Sequence, residues 1–191
     1  CGTASYAGMT GTYAIEQWAR VPVEVQLSHE FRYRDPVLTD RTLLISVSQS
    51  GETMDTLMAV KYAVERGVKT ISVCNTQSAT IPRESHAAVY THAGPEVAVA
   101  STKAYVAQIT ALYLIGLHLA RVRGTLDAAA IAAQTEELLA VPAKIRQILE
   151  TETAEVARLA HWMADSRAIL FLGRHVGYPI ALEGALKLKE L

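Results

Sequence analysis

Leu43-Leu44-Ile45-Ser46-Val47, followed at once by Ser48-Gln49-Ser50-Gly51-Glu52-Thr53, decides the fold. A short, nearly unbroken apolar run bounded by turn residues is the pattern of a parallel strand covered on both faces. From Thr53 to Arg66 the period changes to that of a helix, with Leu57, Val60, Ala63 and Val64 inward and Gly67 as its C-cap. Lys69 to Cys74 and Ala87 to Thr91 repeat the strand signal. Strand, helix and strand joined by crossovers of this length specify right-handed parallel βαβ units, and therefore a three-layer α/β sandwich.

Working outward, Ala7 to Ala19 reads as a helix stopped by Val21-Pro22. Val23 to Leu27 alternates like a strand, and Glu30 to Asp40 reads as a charged surface crossing. Ser101 to Val122 is a long apolar helix with Ser101 as N-cap and Arg123-Gly124 as its close. Leu126 to Ala164 is a helical connector interrupted at Pro142. Ala168 to Leu172 then reads as another strand, Gly173 to Gly177 as a loop and Tyr178 to Leu191 as a helix, so a second α/β unit is expected to open there. It echoes the start, where Gly2 and Gly173 each stand between a strand end and a helix. With no initial Met and no cap at Lys189-Glu190-Leu191, the sequence reads as an internal piece of a longer protein.

Composition narrows the function. In 191 residues, 50% are apolar and only 11 are Gly and 6 Pro, which excludes a disordered or collagen-like chain. A formal charge of -1 leaves no basic surplus for nucleic acid. The most apolar stretch, Ala104 to Ala120, is shorter than the roughly 20 residues a membrane span needs and carries Gln108 and His118, so it reads as a buried helix. Cys1 and Cys74 make neither a disulfide framework nor a metal spacing, and the cysteine usage reads as cytoplasmic. The histidines show no HExxH spacing, so no metal is expected. Trp18 and Trp162 read as helix-packing residues, and Cys1 as a small buried thiol outside any catalysis.

Ser48-Gln49-Ser50-Gly51-Glu52-Thr53 is the foremost candidate site, because ligands of such sheets sit beyond the carboxyl ends of the strands, at helix starts. Hydroxyls, an amide and Gly51 make a neutral cradle for one phosphate; without the Walker lysine, a phosphate monoester fits better than ATP. The competing reading is plain helix capping by Ser50 or Thr53. Thr3 and Ser5, and Ser101 and Thr102, stand at two further helix starts facing the same edge, with capping again the alternative. In the last helix Glu183, Lys187 and Glu190 share one stripe. That stripe is either a solvated face or a carboxylate held near an ammonium, the arrangement of a general base for a proton α to a carbonyl.

Taken in order, CGTASYAG, SHEFRYRDP, SVSQSGETMDT, CNTQSATIPRES, HAGPEVAVASTKA and YPIALEGALKLKE cover nearly the whole chain. Together they resemble the isomerase part of the glutamine:fructose-6-phosphate aminotransferase (isomerizing) family, built from two sugar isomerase (SIS) subdomains. The resemblance implies a doubly wound SIS subdomain over residues 1–124, a helical connector over 125–166 and the opening of a second SIS subdomain over 167–191. It implies that Ser48, Gln49, Ser50 and Thr53 hold a sugar phosphate, that Gly2, Thr3, Val99 and Ser101 line the sugar pocket, and that Glu190 moves a proton between C1 and C2 beside Lys187 and Glu183. Implied partners are fructose 6-phosphate or glucosamine 6-phosphate, a glutaminase domain and a second copy of the chain, with no cofactor, nucleic acid or membrane. Ala4 stands where the family pattern has a phosphate-contacting Ser, leaving Ser5 to substitute, while His29 and His86 replace the usual Ser and Asp. The ring-opening His and Schiff-base Lys of the pattern lie outside this stretch. The alternative is an SIS sensor of sugar phosphates in a transcription regulator.

Overall fold

The computed structural model describes residues 1–97 and 99–190. Eight helices and three strands alternate along them: α1 (Thr3–Ala19), α2 (Ser28–Phe31), β1 (Leu43–Ser48), α3 (Met54–Glu65), β2 (Lys69–Cys74), α4 (Thr80–Glu84), β3 (Ala87–Tyr90), α5 (Lys103–Arg123), α6 (Ala128–Thr151), α7 (Thr153–Met163) and α8 (Gly177–Glu190). The sheet has the order β1-β2-β3 and both pairings are parallel.

Register follows from side-chain alternation. Ile45 pairs with Ile71 and Val47 with Val73, and these residues, with Val89, meet Ala111, Leu112 and Ile115 of α5. α1 lies along α5, where Ile15 and Ala19 pack on Ala120. Leu44 points the other way, into Leu57 and Val60 of α3 and Ile81 of α4. Helices thus cover both faces, and the three-layer expectation holds. Gly67, at φ 75°, takes the left-handed conformation that lets Val68 N–H reach back to Ala63 O at 3.0 Å and close α3.

Four local expectations need correction. Val23 to Leu27 is extended chain outside the sheet; the Val23 N–H is met instead by the Glu16 carboxylate at 2.9 Å. Ala168 to Leu172 is likewise not a strand, since no strand lies beside it among the described residues and Leu170 and Leu172 are exposed. Pro142 does not interrupt α6, which has no buried residue, so water can serve the carbonyl that Pro leaves unpaired; the break falls at Glu152. Trp18 packs edge-on against Tyr113, but Trp162 is 78% exposed. α5 is long and apolar enough to cross a membrane, yet here its inward face packs on the sheet.

Candidate active site

Chain reversal after β1 depends on Gly51. Its φ is 70°, and a Cβ there would lie 2.5 Å from both Cys74 Sγ and Ala79 Cβ, so only glycine lets the loop settle against the β2 end. Ile81 N–H donates to Gly51 O at 2.9 Å, Asn75 N–H to Gln49 O at 3.1 Å, and Thr80 N–H to the Glu52 carboxylate at 2.7 Å. The loop is therefore held rigidly before any ligand arrives.

Within it, Gly51 N–H donates to Ser48 Oγ at 3.0 Å and Glu52 N–H to Ser50 Oγ at 3.2 Å, while Ser48 and Thr53 hydroxyls stand 3.4 Å apart. Neither Ser50 nor Thr53 caps α3: Thr53 occupies the N-cap position without a side-chain bond to the helix. The plain capping reading fails here. What remains is a helix start flanked by the hydroxyls of Ser48, Ser50 and Thr53, a setting suited to an anion.

Thr3, Ser48, Gln49, Ser50, Thr53 and Ser101 all line one cleft of about 230 Å³. Two other expected residues do not. Gly2 is the N-cap of α1, with φ 56°, and sits beside Leu186 of α8; Val99 is 97% exposed. Ser101 is not a cap either, because Thr102 takes the N-cap position of α5. The Glu96 carboxylate accepts from Thr102 N–H, Thr102 Oγ1 and Ala104 N–H at 3.4, 3.1 and 3.3 Å, which frees the buried Ser101 hydroxyl for the cleft. Ala4 lines the cleft without a hydroxyl, and Ser5 does not substitute: its hydroxyl donates to Gly2 O at 2.7 Å.

Cys1 departs from the buried thiol expected. It is exposed at the cleft's edge, with Sγ 2.8 Å from His29 Nδ1, a neighbour that α2 supplies from far along the chain. His86, in turn, is structural: its Nδ1 accepts from Thr70 N–H at 3.2 Å where β2 and β3 begin.

Glu183, Lys187 and Glu190 of α8 form a joined cluster, not a solvated stripe. Lys187 Nζ lies 3.5 Å from Glu183 Oε1 and ion-pairs with Glu190. Thr3 Oγ1 donates to Glu183 Oε1 at 3.0 Å and accepts from Lys187 Nζ at 3.1 Å, so the cluster touches the cleft through α1. Burial pushes the Glu183 carboxyl above its ordinary value, against the opposing help of Thr3 and Lys187. For Lys187, burial works to lower the pKa, but the bond to Glu190 and the two carboxylates outweigh it and the net direction is up. Glu190 is the more exposed acid of the two.

Two residues escaped sequence reading. Gln108, on the second turn of α5, lines the cleft; its position two turns after Ser101 was the available signal. Glu96 gave none, since its role depends on a loop folding back on a helix start.

The SIS domain family profile matches residues 1–117. Over all 191 residues the chain is 74% identical to a glutamine--fructose-6-phosphate aminotransferase [isomerizing] of Leifsonia xyli and 59% identical to one of Corynebacterium diphtheriae, covering 31% of each. It also superposes on the C-terminal domain of glucosamine-fructose-6-phosphate aminotransferase from Francisella tularensis at 43% identity with a TM-score of 0.96, covering the whole chain and 54% of that domain. The chain thus spans under a third of the length of the curated relatives it matches. Parallel sheet, helices on both faces, hydroxyl-lined loop after β1 and the family match agree: the chain belongs to the SIS domain family.

Proposed function

We propose that this chain is the sugar-phosphate-binding part of a glutamine:fructose-6-phosphate aminotransferase (isomerizing), which makes glucosamine 6-phosphate and glutamate from fructose 6-phosphate and glutamine. The observation that carries the reading is Thr3, which lines the hydroxyl cleft and also bonds to both Glu183 and Lys187. A phosphate held at one end of a sugar and an acid–base cluster at the other is what an isomerase of phosphosugars requires. The relatives above carry the aminotransferase name, which disfavours the sensor reading.

In this mechanism the phosphate dianion accepts hydrogen bonds from the hydroxyls of Ser48, Ser50 and Thr53, the Gln49 amide and N–H groups of the α3 start. Thr3 and Ser101, which line the same cleft, hold the sugar. Glu190 removes the proton from C1 and returns it to C2 through an enediol-like state, while Lys187 orients the carboxylate and balances its charge. Glu183, kept buried and bonded to Thr3, fixes Lys187. Ammonia comes from a glutaminase domain elsewhere in the same protein, α8 is the first helix of a second SIS unit, and the working form is a cytoplasmic homodimer.

In the full-length protein, Glu190→Gln is expected to bind fructose 6-phosphate as before and to lose exchange of the substrate proton with solvent. Undiminished exchange removes Glu190 from the base role.

A further inference from the structure

Gln108 is only 1% exposed, yet its Oε1 has no hydrogen-bond partner among the described residues. Such an orphan is uncommon in a native core and calls for a cause. Its place supplies one. Gln108 lines the same cleft as Ser48, Ser50 and Ser101, and Ser101 Oγ is also buried there without a partner among the described residues.

The chemistry of that orphan restricts its ligand. A carbonyl oxygen only accepts, so it needs a donor. A phosphate monoester dianion carries acceptors alone and cannot supply it, nor can the alkyl carbon of the ester. An O–H on the carbon skeleton can. Resting on the phosphosugar reading above, we infer that Gln108 is a specificity residue that accepts a hydrogen bond from a sugar hydroxyl, selecting polyhydroxylated phosphate esters over simple ones. The phosphate loop recognises the charge and Gln108 the sugar. A site built to hydrogen-bond a hydroxyl rejects ligands lacking it, because its own polar group is then left buried and unpaired.

The test is calorimetric titration of the full-length protein with fructose 6-phosphate and with propyl phosphate, which shares the ester and lacks hydroxyls. Gln108→Met is expected to weaken fructose 6-phosphate binding about tenfold, the equivalent of roughly 1.4 kcal/mol, and to leave propyl phosphate within about twofold, as no phosphate contact changes. Its ligand-free thermal midpoint is expected not to fall, since an unpaired acceptor has been replaced by an apolar side chain of similar length; a purely structural role predicts a fall. If that variant does not fold, Gln108→Asn withdraws the amide from the cleft and is expected to give the same selective loss. Equal affinities of wild type and variant for fructose 6-phosphate, or equal losses for both ligands, overturn the inference while leaving the phosphosugar reading standing. A wild-type protein that binds neither ligand overturns both.

Discussion

Thr3 at the start of α1 and Glu183 on α8 are joined by a 3.0 Å hydrogen bond across 180 residues of sequence, with the hydroxyl donating to a carboxylate that is 6% exposed. Because the same hydroxyl accepts from Lys187, Thr3→Val removes two contacts at once. The expected cost is about 1–2 kcal/mol of stability for the hydrogen bonds lost to Glu183 and Lys187. Proton exchange by the full-length enzyme should slow more than substrate affinity falls. Urea unfolding and exchange kinetics on one preparation check both; a variant with full exchange breaks the link between cleft and cluster.

Glu183 also sets a pH dependence. Burial raises its carboxyl above the ordinary 4.5, so at pH values between the ordinary and the raised pKa the folded chain keeps a proton the unfolded chain has lost. Stability from this group therefore falls as pH rises through that window and stays lowered at neutral pH. Glu183→Gln, which has no proton to lose, should gain unfolding free energy relative to wild type as pH rises above the ordinary carboxyl value toward neutrality, measured by urea titration at each pH. A difference that shrinks toward neutrality contradicts the assignment.

Gly51→Ala forces a Cβ to within 2.5 Å of Cys74 Sγ and Ala79 Cβ at a φ of 70°. The clash and the left-handed backbone together should cost about 2–4 kcal/mol. A loss under about 0.5 kcal/mol in denaturant unfolding would mean the loop has another way to turn.

The two serines of the loop should separate. Ser48 is buried and accepts the Gly51 N–H, so Ser48→Ala should lower both stability, by about 1–2 kcal/mol, and phosphate affinity. Ser50 is exposed and accepts only the Glu52 N–H, so Ser50→Ala should lower affinity with little effect on unfolding. Calorimetry beside thermal melts gives the comparison.

Thiol reactivity offers a cheap check on the structure. Cys74 is fully buried and burial pushes its thiol pKa up, whereas Cys1 is exposed beside His29. Iodoacetamide under native conditions should modify Cys1 and spare Cys74, as peptide mass spectrometry would report. Rapid labelling of Cys74 would place the β2 end in solvent.

The three strands were legible because each is a short run of apolar and small residues followed by turn residues, a pattern that needs no knowledge of neighbours. Val23 to Leu27 and Ala168 to Leu172 carry a similar local pattern but lack a pairing edge, and a strand exists only where another accepts its hydrogen bonds. The hydroxyl-lined loop was legible from its place between β1 and α3. Gln108, Glu96 and the Cys1–His29 contact were not, because each role arises from chain segments meeting in space, which periodicity does not encode. Ser101 sits between these cases: its place at a helix start was readable, whereas its release from capping required Glu96.

The Glu96 carboxylate has a consequence for how a ligand lies. Three helix starts meet at this rim, and the one at α5 already carries its own negative charge, bound to Thr102 and Ala104. The N–H groups of Thr102 and Ala104 are thereby spent inside the protein, and what the α5 start leaves toward the cleft is the neutral Ser101 hydroxyl.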